Sequence, residues 1–487
     1  MAEFLQQRKQ QNLGLLDTWE LKKNPKWNTL TKHKQSLVDY VLAKDRTLEA
    51  PYQNLQQAEQ ALSKKGQGSD IILYSLNANT GAIEWTKTVK GTKQAMYNYT
   101  FSDATSPSPA TDGQHIWVVN AAGGMAAFTM QGKPVWSRTF SPTKNAPFNK
   151  QYDTILYENM IFNVEPKVEG DNKRVDNWNY LHAFDKNTGK RLWVSEDGLT
   201  HYSTPVLSHT KEGIPAIMIG RGGPHDVPEK PQGLSLIDLR PESAGQSLWQ
   251  WKAPQYSKAF GGIEIQTWDK DTTFWQQGFQ SNRFEMYQLD SSTGKFKTKH
   301  NLLKTINRFE FDTNLQDYVY QKRPDLEGHW DRQPYTQVVI GNKMYYMIRY
   351  QPYIAMQDLT SGENTLLEIP TEIKREKGKV DQLVWKIKQT TDQLNAKGQR
   401  HNPEPRAQGD GTQKAFLGTP IVVNNQIFFT NAHGITYVID ANKPFNPEAL
   451  IAINDLGEAG KTVSLNAMAY SNGKLFHRSL KSIICIE

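Results

Sequence analysis

Apolar and polar residues alternate through most of the chain in short runs, and turn residues interrupt them. YLHAF (180–184) and ILYSL (72–76) alternate as half-buried strands do. Each is followed by an Asp or Asn with a glycine four residues later: Asp185 with Gly189, Asn77 with Gly81, Asp290 with Gly294, Asp358 with Gly362. An Asp or Asn at the start of a turn hydrogen-bonds its own backbone two residues on, and the glycine supplies the positive φ that other residues resist. Four residues past the glycine stands a tryptophan in Trp85 and Trp193, and Trp136 follows Gly132 at the same distance. A tryptophan fixed at one place in a strand is expected to pack between neighbouring sheets.

A second phrase alternates with the first: a short apolar strand, a turn and another strand. Its copies are SPATDGQHIWVV (108–119), TILYENMIFNV (154–164), QVVIGNKMYYMI (337–348), TPIVVNNQIFFT (419–430) and MAYSNGKLFHRS (468–479). Most of the turns carry hairpin signals between β-branched and aromatic residues. Together the two phrases predict a four-stranded antiparallel meander. The turn glycines recur every 50–70 residues or so, and a degenerate unit ending in Trp249 fills the widest interval. Four-stranded units at such a period predict a β-propeller of seven or eight blades.

The front of the chain breaks the pattern. KQSLVDYVLAK (34–44) and YQNLQQAEQALSK (52–64) space apolar residues three and four apart, which predicts helices. The expected organisation is therefore a helical segment or cap over 1–69 and a propeller over 70–487. LGLLDTWEL (13–21) is one possible strand within that front segment. Either the helices are an insertion or cap, or the chain is the remainder of a longer precursor lacking its first strands and any signal peptide. The second account is preferred. A polar insertion at about 371–416 is too long for a blade turn, and LVWKI (383–387) within it could add a strand.

Composition narrows the function. The net charge of +7 invites a nucleic-acid reading. Residues 1–69 carry 11 Lys/Arg against 7 Asp/Glu, and 371–416 carry 10 against 6, which leaves the repeats close to neutral. A nucleic-acid partner is not expected. No apolar run is long enough for a transmembrane helix. The single cysteine, Cys485, excludes an internal disulfide and lies in a terminal apolar strand, where a buried thiol is expected. His182 and His477 also fall within strands, where hydrogen bonds are expected to satisfy them.

The pattern strand, D-x-x-T-G-x-x-x-W, then S-x-P-x-x-x-x-G resembles the repeat of pyrroloquinoline-quinone-like (PQQ-like) β-propellers. Its clearest carriers are LYSLNANTGAIEW, SPSPATDGQHIWVV, LHAFDKNTGKRLW and LGTPIVVNNQIFF. The resemblance implies an all-β fold, favours eight blades and places the protein in the periplasm or outside the cell. The family holds both quinone-dependent dehydrogenases and a partner-binding lipoprotein of outer-membrane barrel assembly. A dehydrogenase would need a tryptophan floor and carboxylates for a metal ion. The nearest set is Trp268, Asp269 and Asp271 in TWDKD, which reads more simply as a polar turn. No cofactor is expected, though PQQ with Ca²⁺ or a lanthanide stays open. No metal ligands stand out.

A lyase-type enzyme acting on an anionic polysaccharide is the main alternative. It would use His, Tyr and Arg in a central groove to neutralise a uronate and remove its α-proton. His225, His329, Arg349 and Tyr350 are the catalytic candidates, and Arg221, Asp226, Trp330, Asp331, Arg332 and Tyr353 are the binding candidates. Ordinary loop chemistry accounts for most of these residues. The favoured expectation is a non-redox binding or assembly scaffold, with a protein or an anionic polysaccharide as partner.

Overall fold

The turns are built as the sequence dictates. In the computed structural model, Asp185 Oδ1 accepts hydrogen bonds from the Asn187 and Thr188 N–H groups at 3.1 and 2.8 Å and from the Thr188 hydroxyl at 2.8 Å. Gly189 then takes φ +69° and donates its N–H to the Asp185 carbonyl. Asp290 and Asp358 cap their turns in the same way, and Asn77 substitutes its amide oxygen. The structure describes residues 70–92, 107–142, 153–167, 179–199, 204–221, 233–254, 265–268, 271–276, 285–301, 305–324, 334–348, 351–385, 419–456 and 466–487. All lie in one compact unit, residues 69–487. The expected helices over 1–69 and the possible strand at 13–21 lie outside the described residues.

Successive antiparallel sheets follow one another along the chain. β1 (Ile71–Leu76) pairs with β2 (Ile83–Val89). β3 (Ala110–Thr111), β4 (His115–Asn120), β5 (Gly124–Thr129) and β6 (Pro134–Thr139) form the next meander. Then come β7 (Ile155–Tyr157), β8 (Met160–Pro166), β9 (Asn179–Asp185) and β10 (Arg191–Leu199). β11 (Val206–His209), β12 (Pro215–Arg221), β13 (Gly233–Asp238) and β14 (Ser247–Lys252) follow, and a single Leu199–Arg221 pairing joins these two sheets. β15 (Ile265–Trp268), β16 (Thr272–Gln276), β17 (Glu285–Asp290) and β18 (Phe296–Asn301) make another four-stranded sheet.

The pattern then changes. A hairpin of β19 (Thr305–Asp312) and β20 (Asp317–Pro324) precedes β21 (Pro334–Ile340), β22 (Lys343–Ile348), β23 (Tyr353–Asp358) and β24 (Asn364–Glu368). β19 pairs parallel to β24, so this sheet has six strands. β25 (Glu372–Lys374) and β26 (Gln382–Val384) form a hairpin at the start of the long insertion. β27 (Ile421–Val423), β28 (Gln426–Thr430), β29 (Ile435–Asp440) and β30 (Leu450–Asp455) restore the four-stranded unit. β31 (Ala469–Ser471), β32 (Lys474–Arg478) and β33 (Ile483–Ile486) end the chain. The fold is an all-β propeller type, with hydrophobic clusters inside and between neighbouring blades.

The recurring spacing of tryptophan and glycine has a direct reading in the contacts. A Cβ placed on Gly132 would meet the Trp85 ring at 2.9 Å; on Gly189, Trp136 at 2.7 Å; on Gly245, Trp193 at 2.8 Å; on Gly294, Trp249 at 2.5 Å. Each tryptophan of one blade thus lies on the turn glycine of the next. Three of the indoles also donate into the next blade, to the carbonyls of Met130, Lys186 and Ser291 at 3.0, 2.8 and 2.9 Å. The turn beneath Trp193 is the longer, degenerate one, and that indole N–H has no acceptor.

Two expectations need correction. Cys485 is exposed, because β33 lies at the end of its three-stranded sheet and turns that side chain outward. The insertion does begin with extra strand structure, but β26 starts at Gln382 and ends at Val384, before Trp385, and 386–387 lie outside the described residues. Trp385 follows it and stacks on Phe311 of β19 at 4.0 Å, with Tyr318 edge-on at 5.7 Å.

Gly189→Ala should cost about 2–4 kcal/mol, because it combines a left-handed φ with overpacking against Trp136. Gly113, at φ +85°, has nothing within 4 Å of an added Cβ. Gly113→Ala should therefore cost only about 1–2 kcal/mol. Denaturant midpoints of the two variants check the difference, and equal losses would remove the docking account. Cys485 should react with a maleimide in the folded protein without denaturant.

Candidate functional site

Antiparallel meanders sort their connections to two ends. The connections from β7 to β8, β9 to β10, β21 to β22, β23 to β24 with its turn at Gly362, and their equivalents in other blades are short. Those at the opposite strand ends include 222–232 between β12 and β13, 325–333 leading into β21, 349–352 between β22 and β23, and the long stretch from β24 to β27. All the loop candidates named from the sequence attach at this second end. His225, Asp226, His329, Trp330, Asp331, Arg332, Arg349 and Tyr350 themselves lie outside the described residues.

Two loop candidates are described. Arg221 ends β12 and is buried; its Nη1 donates to Gln250 Oε1 at 3.4 Å, and its backbone makes the single pairing that joins two blades. Tyr353 opens β23 and is buried. Its hydroxyl donates to Glu310 Oε1 at 3.2 Å, and the same oxygen accepts from Arg308 Nη1 at 3.1 Å. Burial, reinforced by the Glu310 carboxylate, pushes the Tyr353 phenol well above its ordinary value, so it stays a neutral donor.

TWDKD sits elsewhere. Trp268 is only 6% exposed and packs in a core cluster with Met218, Leu234, Leu236 and Tyr287. The Asp271 side chain is 68% exposed, and its backbone carbonyl accepts from Ser291 N–H and Lys297 Nζ. Asp271 belongs to the β15–β16 turn, at the short-turn end, away from the loop candidates. Asp269 lies outside the described residues.

Several buried polar groups escaped the sequence reading. Arg138 of β6 makes a two-point ion pair with Glu165 of β8 in the next blade; the Nη2–Oε2 contact is 2.9 Å. Asn163 Nδ2 donates to the same carboxylate at 2.8 Å, and the Arg138 guanidinium stands 4.3 Å over the Phe184 ring. His182 stacks on Phe184, and burial depresses its pKa to about 4, against a smaller opposing pull from Glu165. His433, in the β28–β29 turn, is likewise pushed down to about 4 by burial. Neither His182 nor His477 is satisfied as expected, since no ring nitrogen of either, nor of His433, has a hydrogen-bond partner.

Residues 69–223 match the family model described as outer membrane protein assembly factor BamB. Residues 69–223 therefore carry repeats similar to those of that family. No curated protein matches the chain. Among solved structures, BamB from Moraxella catarrhalis is similar at 12% identity and a TM-score of 0.37, covering 78% of this chain and 93% of its own. A europium-containing methanol dehydrogenase is similar at 14% identity and a TM-score of 0.46, covering 83% of this chain and 78% of its own.

Buried neutral histidines set a pH dependence. Unfolded, each binds a proton near pH 6.5; folded, His182 and His433 do so only near pH 4. The unfolded state therefore binds more protons between these values, and stability falls as pH drops from about 6.5 toward 4. Replacing His433 by Phe should flatten this part of the profile, as measured by denaturant unfolding at pH 7.5 and 4.5. An unchanged slope would mean that His433 titrates normally in the fold.

Proposed function

We propose that the protein is a non-redox PQQ-like propeller that acts as a binding or assembly scaffold in the bacterial cell envelope. One observation carries this reading: the two strand ends are unequal, and the long polar and aromatic connections attach at the same end. A rigid disc with extended loops on one face is suited to holding a partner, because loops tolerate variation while the scaffold fixes their roots. The match of residues 69–223 to an outer-membrane assembly factor model supports a protein partner in that process and a periplasmic location. Trp268 and Asp271 do not favour a quinone floor, since one is a core side chain and the other faces solvent at the short-turn end. Trp330, Asp331 and Arg332, with His225, Asp226, His329, Arg349 and Tyr350, are the residues through which such a surface would be read, while Arg221 and Tyr353 are buried at its base. Fold alone does not decide chemistry, so the proposal needs its own test.

The test pairs two measurements. PQQ is titrated with Ca²⁺ or a lanthanide, followed by quinone absorbance and dye-coupled alcohol oxidation; no saturable binding is expected. The protein is then used to retain partners from detergent-solubilised bacterial envelopes. Retention of an outer-membrane assembly component should be reduced at least tenfold by the combined Trp330→Ala and Arg332→Ala substitutions. Quinone binding with dye reduction, or retention indifferent to those loop changes, would reverse the reading.

A further inference from the structure

The interface between the blade of β15–β18 and the blade of β21–β24 lacks the docking tryptophan. Thr298 stands four residues past Gly294, where Trp occurs in the preceding blades, and nothing lies within 4 Å of a Cβ on Gly362. The facing surfaces still meet: Phe274 and Met286 of one blade pack with Ile306, Met344, Tyr346 and Leu366 of the other. Buried polar groups share these faces. Gln357 Nε2 donates to the Gly362 carbonyl at 2.9 Å, Asn364 Nδ2 to the Tyr346 hydroxyl at 2.8 Å, and His300 shares a 2.9 Å contact with Gln288.

Arg308 enters this interface from the added hairpin. It is two residues from Ile306 on β19 and therefore on the same face. Its side chain is only 7% exposed. Glu310 occupies Nη1, and the guanidinium lies 5.9 Å from the centre of the Tyr353 ring. Nε and Nη2 are buried and have no hydrogen-bond partner. These two nitrogens form one edge of the guanidinium, with parallel N–H groups. Leaving two buried donors of a charged group unmatched is destabilising, because each has lost its water and gained no acceptor. The edge is the fork that a planar carboxylate fills with two hydrogen bonds.

We propose that the Arg308 fork, held by Glu310 and Tyr353 between these two blades, is a binding site for the carboxylate of a small monoanionic ligand. Glu310 and Glu368 limit the charge it accepts. Both carboxylates lie near the Tyr353 phenol, and Glu368 is 1% exposed while accepting from the Phe311 N–H at 2.9 Å. Both also have further polar or electrostatic contacts. A phosphate dianion would meet these negative charges at close range, whereas a single carboxylate matches the one open edge. The site does not depend on the scaffold reading, because it is built from blade residues and needs no loop partner. An ordered water is the competing occupant.

Acetate is the minimal probe. Tm is measured for the full chain over a sodium acetate series, with sodium chloride at the same ionic strength as reference. A saturable, acetate-specific rise of about 2–4 °C is expected, and Arg308→Lys, which keeps the charge and loses the fork, should abolish it. Equal shifts with chloride, or a retained response in Arg308→Lys, overturn the proposal. Wild-type crystals soaked in acetate give a second measure that does not depend on the folding of Arg308→Lys. Planar density bridging Nε and Nη2 supports the site, and a single water on the fork overturns it.

Discussion

The contact of one blade's tryptophan with the next blade's turn glycine is the constraint on which this fold rests. A propeller blade is twisted and cannot bury both faces alone, so it must be locked to its neighbour at a fixed angle. The indole supplies a large flat area, and the glycine lets it approach the turn backbone. The N–H then fixes the approach, since a carbonyl of the next turn receives it at about one place only. Trp117 of β4 adds a second donor to the Lys186 carbonyl that Trp136 already uses, both at 2.8 Å. Two indoles from different strands thus converge on one turn. That convergence explains why the Asp–Thr–Gly turn must be regular: displacing it would unsatisfy both indoles at once.

This constraint was the legible part of the chain. Alternation, Asp-capped turns and the four-residue step from glycine to tryptophan are local, so they survive in a single sequence. The added hairpin was missed for a physical reason. Its strands alternate aromatics as well as any other, through Phe309, Phe311, Tyr318 and Tyr320, but its turn contains no glycine. Gln316 takes the positive φ of +54° instead, and Asp312 Oδ1 caps Asn314 and Leu315. The parallel pairing of β19 with β24 joins residues nearly 60 positions apart, and nothing local announces it. Buried ion pairs were hidden likewise. Arg138 and Glu165 look like ordinary surface residues until two blades bring them together. Tyr353 was named from its loop, yet what surrounds it, Arg308 and Glu310, comes from the hairpin that went unseen.

Where the tryptophan is absent, the lock has to be made by other means. The six-stranded sheet shows the substitution. β19 and β20 widen it, and the Tyr318 hydroxyl donates to the Glu368 carbonyl at 2.9 Å, tying the hairpin to the strand it extends. Trp385 then stacks on Phe311 from the other hairpin. On this side of the sheet the lost indole is replaced by a cluster of rings. On the opposite side Arg308, Asn364, Gln357 and the Tyr346 hydroxyl are buried beside the apolar cluster of Phe274, Met286, Ile306 and Leu366. A buried guanidinium contributes little to stability unless all its donors are matched, since desolvation offsets its ion pair with Glu310. The interface therefore holds the two blades by the burial of Phe274, Met286, Ile306, Met344 and Leu366, while the directional bonds named here fix side chains within each sheet.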